Sequence, residues 1–279
     1  MNEYYQETQA AIDGIQIENK GEKRKCAIFV MVQNETVFLP IWLKYYTKYF
    51  SGDDIYVFDH RSNDGSIEEC ALKYQFRNIR LEYPFSFDHL WFRFVASTMQ
   101  KKLLEHYEYV IFTDVDEILM PHPEYYSRFD DYINDLQRKY VRCIGYEIIH
   151  LKDKELPFNS EKTVLSQRSY WYRNVLYNKT LLSSKPLKWG IGFHNVSQLI
   201  PNYDKKLLLI HLHKFDYEYC WNKSLERSKL KWTDEELKKD RGWQNRITDK
   251  EKFDKYYYTW PDGIKIVDIP EVVLRTDIF

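Results

Sequence analysis

The chain has 279 residues, of which 44% are hydrophobic and 17% aromatic, and it carries 41 basic and 42 acidic side chains. This size supports one large globular domain, and the net charge of -1 excludes a global field that would favour nucleic acid or an anionic membrane. No apolar run approaches the roughly 20 residues of a membrane span and no signal peptide is recognisable, so we expect a cytoplasmic protein.

The first elements indicate an α/β fold. Residues 1–24 are polar and lack sustained periodicity, which predicts a loosely docked or poorly ordered N-terminal arm. Residues 26–32 form a continuous apolar run, typical of a parallel strand that is buried on both faces. An amphipathic helix is predicted over residues 37–50, and a second strand over residues 55–58.

The alternation continues to the fourth strand. Residues 67–74 and 87–107 are predicted helices, and residues 79–83 and 109–113 are predicted strands. Four strands that alternate with helices predict a mostly parallel sheet with right-handed crossovers. In such sheets ligands bind beyond the carboxyl ends of the strands.

Polar residues follow three of these strands. Asn34 and Glu35 come after the first strand, residues 59–64 after the second, and residues 114–117 after the fourth. Because the carboxyl ends of parallel strands meet at one edge of a sheet, we expect the three clusters to converge there. The sequence therefore predicts a functional edge.

The most informative stretch is residues 109–121, YVIFTDVDEILMP, in which a strand runs directly into three carboxylates. Alternation along an extended segment would direct Asp114 and Asp116 to one face and Glu117 to the other, where a structural role is expected. Two carboxylates on one face favour a hard cation such as Mg²⁺ or Mn²⁺. The alternative is a helix that begins after the strand and is capped by an aspartate.

The second half is less regular. Alternation at the end of a strand over residues 207–210 aims His211 and His213 to one side. Thr233 and Glu236 match a capping box. The other predicted elements are a helix over residues 125–139, a strand over 143–150, one or two strands over 163–182, a loop over 185–195 and a helix over 217–231.

The chain contains, in this order, VMVQNE, an amphipathic helix, IYVFDHRSNDGS and FTDVDEIL. This arrangement resembles the nucleotide-sugar-binding half of a GT-A fold glycosyltransferase. The resemblance is to the family 2-like group, in a branch that shares features with family 92. It covers residues 26–121 well and HLHKFDYEYCWNKSLERSK more loosely. It implies a Rossmann-like, mostly parallel central sheet with flanking helices, a nucleotide-sugar-binding half over residues 25–121 and a mixed acceptor-binding half over residues 122–279.

The resemblance also implies roles for individual residues. Asp114 and Asp116 match the DxD motif, which implies that Asp116 contacts Mn²⁺ or Mg²⁺ and that Asp114 contacts the ribose or a metal-bound water. A histidine late in the chain often completes the metal site in such enzymes, and His211, His213 and His194 are the candidates. The positions that match nucleotide-contacting residues, or lie in the loop beside them, are Asn34, Glu35, Asp59 and Asp64.

The implied reaction moves a sugar, a hexose in our interpretation, from a nucleoside diphosphate donor, with a UDP-sugar favoured, to a hydroxyl of a glycan or glycoconjugate acceptor. In an inverting enzyme a carboxylate takes the acceptor proton, and Glu147 and Asp216 are the candidates. Arg93 is a candidate phosphate clamp, as are Arg168 and Arg173.

Two alternatives remain open at this point. Haloacid dehalogenase-like phosphatases also place a DxD motif after a strand, but their pattern has Thr or Val where Ile118 lies, and the motif usually opens the domain. A non-catalytic sugar-binding relative is the other alternative. Retention of Asp114, Asp116 and the downstream histidines argues against it.

Overall fold

The computed structural model describes residues 3–18, 21–200 and 202–276. The first half alternates helices and strands: α1 (Glu3–Asp13), β1 (Arg24–Val32), α2 (Phe38–Tyr46), β2 (Ile55–Asp59), α3 (Ser66–Ala71), β3 (Arg77–Arg80), α4 (His89–His106) and β4 (Tyr107–Phe112). The second half contains β5 (Glu117–Pro121), α5 (Phe129–Asn134), β6 (Tyr140–Arg142), β7 (Ile144–Ile149), β8 (Tyr170–Arg173), β9 (Thr180–Ser183), β10 (Leu207–Lys214), α6 (Tyr217–Ser228), α7 (Asp234–Lys238), α8 (Lys250–Tyr257), β11 (Val267–Asp268) and α9 (Glu271–Leu274).

The first sheet has six strands in the order β3-β2-β1-β4-β9-β6, and its first four strands are parallel. Ile28 of β1 is paired with Ile55 on one side and Ile111 on the other, and all three are fully buried. A strand that is covered on both faces needs apolar side chains at every position, which is why the run in β1 is continuous. The predicted α/β class with a mostly parallel central sheet is confirmed.

The second sheet has five strands in the order β11-β8-β7-β10-β5. Strand β10 lies between β5, to which it is antiparallel, and β7, to which it is parallel. His211 on β10 is therefore opposite Glu117 on one side and Glu147 on the other. The predicted strand ended at residue 210, whereas β10 continues to Lys214, so both histidines belong to the strand itself.

The chain passes from one sheet to the other through residues 113–116. Strand β4 ends at Phe112, and the amide of Glu117 donates a hydrogen bond to the carbonyl of Asp114 at 3.1 Å, which closes a turn. The expectation that Asp114 and Asp116 share one face of an extended segment is therefore wrong. Pairing of β5 with β10 requires a turn in the segment that side-chain alternation predicted to be extended.

The N-terminal arm also differs from the prediction, because residues 3–13 form helix α1 and this helix is docked on α4. Trp91 Nε1 donates to Thr8 Oγ1 at 3.0 Å, and the Tyr4 hydroxyl donates to Asp88 at 3.2 Å. Ile12 is fully buried. Residues 1, 2, 19 and 20 of the predicted arm lie outside the described residues.

Smaller differences concern the lengths of elements. The helix predicted over residues 125–139 is reduced to α5, and the one over 217–231 ends at Ser228. The predicted capping box is formed only in part. Thr233 Oγ1 accepts from the amide of Glu236 at the start of α7, but the Thr233 amide donates to the carbonyl of Phe87 and the Glu236 carboxylate binds His89 instead. Among the described residues, no helix combines the length and the apolar character needed to cross a membrane.

The docking of α1 can be tested by truncating its buried anchor. Because Ile12 is fully buried, Ile12→Ala should lower the free energy of unfolding by roughly 2–5 kcal/mol through lost transfer energy and the cavity left behind. Urea titration measures this change. Glu7→Ala, at an exposed position of the same helix, is the control and should change stability little. Equal stability of both variants would show that α1 is not docked.

Candidate active site

A cavity of about 440 Å³ lies beyond the carboxyl ends of β1 and β4, where the two sheets meet. Asn34 and Glu35 line it from the loop after β1, and Asp114 and Asp116 from the turn after β4. The other walls come from β10, from α6 and α8, and from the loop over residues 192–194. Two of the three predicted polar clusters are thus brought together at this edge.

Asp116 lies between two histidines of β10. Its Oδ2 atom is 3.6 Å from Nε2 of His211 and 3.7 Å from Nδ1 of His213, and its side chain is 11% exposed. Burial disfavours the charged carboxylate, but the two neighbouring imidazoles outweigh burial and hold the pKa of Asp116 well below its usual range. Asp116 is therefore an anion at neutral pH that faces two nitrogen atoms.

In each imidazole, the ring nitrogen that does not face Asp116 has a hydrogen-bond partner of its own. Nδ1 of His211 donates to Glu147 Oε2 at 2.7 Å, and Glu147 also accepts from the amide of Lys214 at 3.1 Å. Nε2 of His213 lies 3.0 Å from the hydroxyl of Tyr256 on α8. A partner on one ring nitrogen fixes the tautomer and directs the other nitrogen, which is how proteins commonly orient histidine ligands.

We tested whether these residues fit a metal ion. As they are placed, no group of three or more His, Cys, Asp or Glu side chains in residues 3–18, 21–200 and 202–276 stands close enough to hold one. Two ligands at right angles with bonds of about 2.1 Å are about 3 Å apart, whereas Asp116 and the imidazoles are separated by 3.6 and 3.7 Å. The donor set of one carboxylate and two imidazole nitrogens fits a metal ion in its chemistry, and side-chain movement would have to bring the three atoms closer together to bind one ion.

The donor types also discriminate between cations. One carboxylate and two imidazoles suit Mn²⁺ and other transition metals, whereas Mg²⁺ prefers oxygen ligands and keeps several waters. Of the two cations expected from the sequence, this cluster fits Mn²⁺ better than Mg²⁺.

Asp114 has a different environment from Asp116. Lys179, whose side chain is 2% exposed, lies 3.2 Å from Asp114 Oδ2 and 2.5 Å from Glu117 Oε1. Burial raises the pKa of Glu117 to about 7 although Lys179 acts in the opposite direction. The Asp114 side chain is 41% exposed, so it presents one carboxylate oxygen to the cavity while the other is held by Lys179.

The loop after β1 carries a second charge cluster. Glu35 lies 3.1 Å from Lys223 Nζ and 3.5 Å from Arg227 of α6, and Lys223 also donates to the carbonyl of Asn34 at 2.7 Å. The side chain of Asn34 accepts from the amide of Asn63 at 2.9 Å, which joins this loop to the loop after β2. Two cations on one face of α6 therefore border the same cavity as Asp116.

Several residues expected at the site do not line the cavity. Asp59 accepts from the amide of Ser62 and from Arg80, Asp64 accepts from the amide of Ser66, and Arg93 lies on α4. Their side chains stabilise the loop after β2 or belong to the helix, and none is among the residues that line the cavity.

The two expected catalytic bases also lie outside the cavity. Asp216 caps α6 by accepting from the amide of Tyr219 and is paired with buried Arg168 at 2.9 Å. Glu147 is 1% exposed and engaged with His211. The geometry gives no support to proton transfer by either carboxylate, because neither is among the residues that line the cavity.

Sequence reasoning missed Lys179, Lys223, Arg227 and Tyr256. The spacing of four between Lys223 and Arg227 within a predicted helix was a usable signal, because such residues share one helix face. Lys179 and Tyr256 carried no local signal, since their partners are distant in sequence.

No known protein-family pattern and no curated protein sequence matches the chain. Among solved structures, it is similar to glucosyl-3-phosphoglycerate synthase from Mycobacterium tuberculosis, with 17% identity, a TM-score of 0.32, and coverage of 50% of this chain and 48% of that one. It is also similar to a mannosyltransferase from Pyrobaculum calidifontis, with 15% identity, a TM-score of 0.28, and coverage of 53% and 42%. The chain thus aligns with less than half the length of these proteins, and similarity at this level does not establish its function.

The buried cation between Asp114 and Glu117 gives a stability prediction. Lys179→Met should lower the free energy of unfolding by about 3–5 kcal/mol, because it leaves Glu117 buried without its cation. Lys179→Met combined with Glu117→Leu should recover most of that loss, and denaturant titration of the double-mutant cycle measures the coupling. Exposed Lys185→Met is the control. Additive effects of the two changes would contradict the assignment.

Proposed function

We propose that the protein is a metal-dependent glycosyltransferase that takes a sugar from a nucleoside diphosphate donor. The observation that carries this proposal is the placement of Asp116 between His211 and His213 at the carboxyl end of β4, in a cavity bordered by Lys223 and Arg227. The resemblance of the β1, β2 and β4 ends to GT-A enzymes supports the same reaction.

The charge of the cavity supports the dependence on a metal. Its described lining residues include five carboxylates, Glu35, Asp114, Asp116, Glu117 and Glu226, against three side-chain cations, Lys179, Lys223 and Arg227. A diphosphate that approached the Asp116 carboxylate directly would be repelled by its negative charge. A divalent cation at Asp116 would remove that repulsion, so nucleotide and metal should bind together.

Different residues of the cavity would bind the metal ion, the phosphates and the sugar or ribose. Asp116, His211 and His213 would hold the cation, and the chemistry it supplies is neutralisation of the negative charge that develops on the departing phosphate. Lys223 and Arg227 are placed to attract the phosphates. Asp114 offers a half-exposed carboxylate oxygen to a ribose or sugar hydroxyl, while Lys179 holds its other oxygen.

We infer the remaining details from the resemblance. They are a UDP-sugar donor carrying a hexose, a glycan or glycoconjugate hydroxyl as acceptor, inversion at the anomeric carbon, binding of the nucleotide by Asn34 and Glu35, and a cytoplasmic location. The two halves of the domain, residues 25–121 and 122–279, would bind donor and acceptor respectively.

The first experiment on function measures stabilisation by nucleotides. UDP, GDP and CDP are added with and without Mn²⁺, and one of them should raise the melting temperature in the presence of metal. A ligand at about 100 times its Kd adds about 2.7 kcal/mol of stability. Asp116→Asn should abolish the shift, whereas Asp131→Asn, at an exposed position of α5, should preserve it.

Two other outcomes would contradict the proposed function or support an alternative to it. Failure of every nucleotide to stabilise the folded protein with Mn²⁺ would contradict the transferase. Phosphate release from p-nitrophenyl phosphate by the same preparation would then support the phosphatase alternative.

The partners that orient the histidines give a separate prediction about the metal. Tyr256→Phe and Glu147→Gln should weaken Mn²⁺ affinity by about 10–100-fold, because the first removes the hydroxyl that directs the imidazole of His213 and the second removes the negative charge that supports the imidazole of His211. Electron paramagnetic resonance of free Mn²⁺ measures this affinity without any turnover. Tyr258→Phe changes the neighbouring, 40% exposed tyrosine and should leave affinity unchanged. Binding of Mg²⁺ as tight as that of Mn²⁺ would contradict the assigned ligands.

A further inference from the structure

The two carboxylates expected to act as the base, Glu147 and Asp216, lie outside the cavity. Neither is therefore a candidate for removing the proton in the transfer reaction. One basic atom of the cavity wall is oriented for this task. His194 follows the short helical turn Ile191–Phe193 and lines the cavity. Its Nδ1 atom lies 3.0 Å from the carbonyl oxygen of Leu176.

This contact decides the tautomer of the ring. A carbonyl oxygen can only accept, so Nδ1 carries the proton and donates it to Leu176. Nε2 of the neutral ring therefore carries the lone pair. Within the described part of the chain, no hydrogen-bond partner engages Nε2, and Gly192 (φ 71°) leaves room beside it, because a Cβ there would come within 3.3 Å of this atom.

The position of His194 relative to the proposed metal cluster also suits a base. The ring of Tyr177 packs near both, with its centroid 4.0 Å from that of His211 and 6.1 Å from that of His194. All three side chains line the same cavity. A sugar bound at the proposed metal cluster would therefore lie in the same cavity as His194, whose volume of about 440 Å³ is in the range of small-molecule sites.

The charged groups around His194 keep it neutral. Burial lowers its pKa below the ordinary value of 6.5, and the charge of Lys179 acts in the same direction. Asp114 raises the pKa and His211 lowers it, and neither reverses the result. At pH 7 the ring is therefore ready to accept a proton.

The carboxylates of the cavity are less suited to the role. Glu35 is paired with Lys223 and Arg227, Glu117 with Lys179, and Asp116 faces the histidines. Asp114 is paired with Lys179. Glu226 lines the cavity with a 66% exposed side chain, which lies 3.9 Å from Lys223.

We propose that His194 Nε2 is the general base that removes the proton from the acceptor hydroxyl, an inference that rests on the transferase function proposed above. The acceptor oxygen forms a bond to the anomeric carbon as the bond from that carbon to the phosphate oxygen breaks. The electron pair of the broken bond leaves with the nucleoside diphosphate. The proton stays on the imidazole and passes to solvent after release of product.

The test combines two substitutions with a control. His194→Ala removes the ring, and His194→Asn keeps a donor for the Leu176 carbonyl while it removes the basic nitrogen, which preserves the loop if the alanine variant fails to fold. His122→Asn is the matched control, because it changes a histidine that is not among the described residues lining the cavity. The reaction is hydrolysis of UDP-, GDP- and CDP-hexoses with Mn²⁺, in which water takes the place of the acceptor.

Both variants should lower turnover by about 100-fold or more, the usual contribution of a general base, while the Kd for Mn²⁺ and nucleoside diphosphate is kept. Added imidazole should restore part of the activity of His194→Ala. Turnover within about threefold of the native enzyme, or a loss that imidazole does not rescue and that His122→Asn reproduces, would overturn the proposal.

A measurement that needs no turnover addresses the same point. Two-dimensional ¹⁵N NMR of the histidine rings should find His194 protonated at Nδ1 and titrating below the ordinary pKa of 6.5. Protonation at Nε2, or a pKa above that value, would overturn the inference. Failure of the transferase itself is a separate result, the absence of Mn²⁺-dependent nucleotide binding by the native protein.

Discussion

The structure depends on residues 113–116, where the chain passes from the first sheet to the second. Strand β4 belongs to the parallel sheet and β5 pairs with β10, so the turn between them must lie where the sheets meet. This places three carboxylates in a partly buried junction. Each of them then requires a compensating partner, because an unpaired buried charge is strongly destabilising.

The carboxylates of the turn have two different kinds of partner. Asp114 and Glu117 share the ammonium of Lys179, whereas Asp116 faces the imidazoles of His211 and His213. The ammonium of Lys179 neutralises the carboxylates but cannot coordinate a metal ion, so the pairing of Lys179 is structural. Imidazoles can exchange a proton for a cation, so the arrangement around Asp116 can be converted into a ligand set.

Strand β10 connects this junction to the C-terminal part of the chain. Its alternation directs His211 and His213 to the cavity, while Lys214 donates to the carbonyls of Tyr256, Tyr257 and Thr259 at 2.8 to 3.0 Å. A cation at the carboxyl end of α8 satisfies carbonyls that lack helical partners. The helix is thereby held so that the Tyr256 hydroxyl reaches His213. One strand therefore supplies both the proposed ligands and the anchor of their orienting residue.

The sequence by itself determined the features that follow from local patterns. Continuous apolar runs and their alternation with helices predicted the parallel sheet, the spacing of two predicted that His211 and His213 share a side, and Thr233 with Glu236 predicted a helix start. Tertiary structure decided which polar residues meet. Lys179 and Asp114 are 65 positions apart and His211 and Glu147 are 64 apart, so only the pairing of strands could bring them together. The same pairing bent the chain at Asp114 and left Asp59, Asp64 and Asp216 in structural hydrogen bonds, because local periodicity carries no information about where a chain must leave one sheet for another.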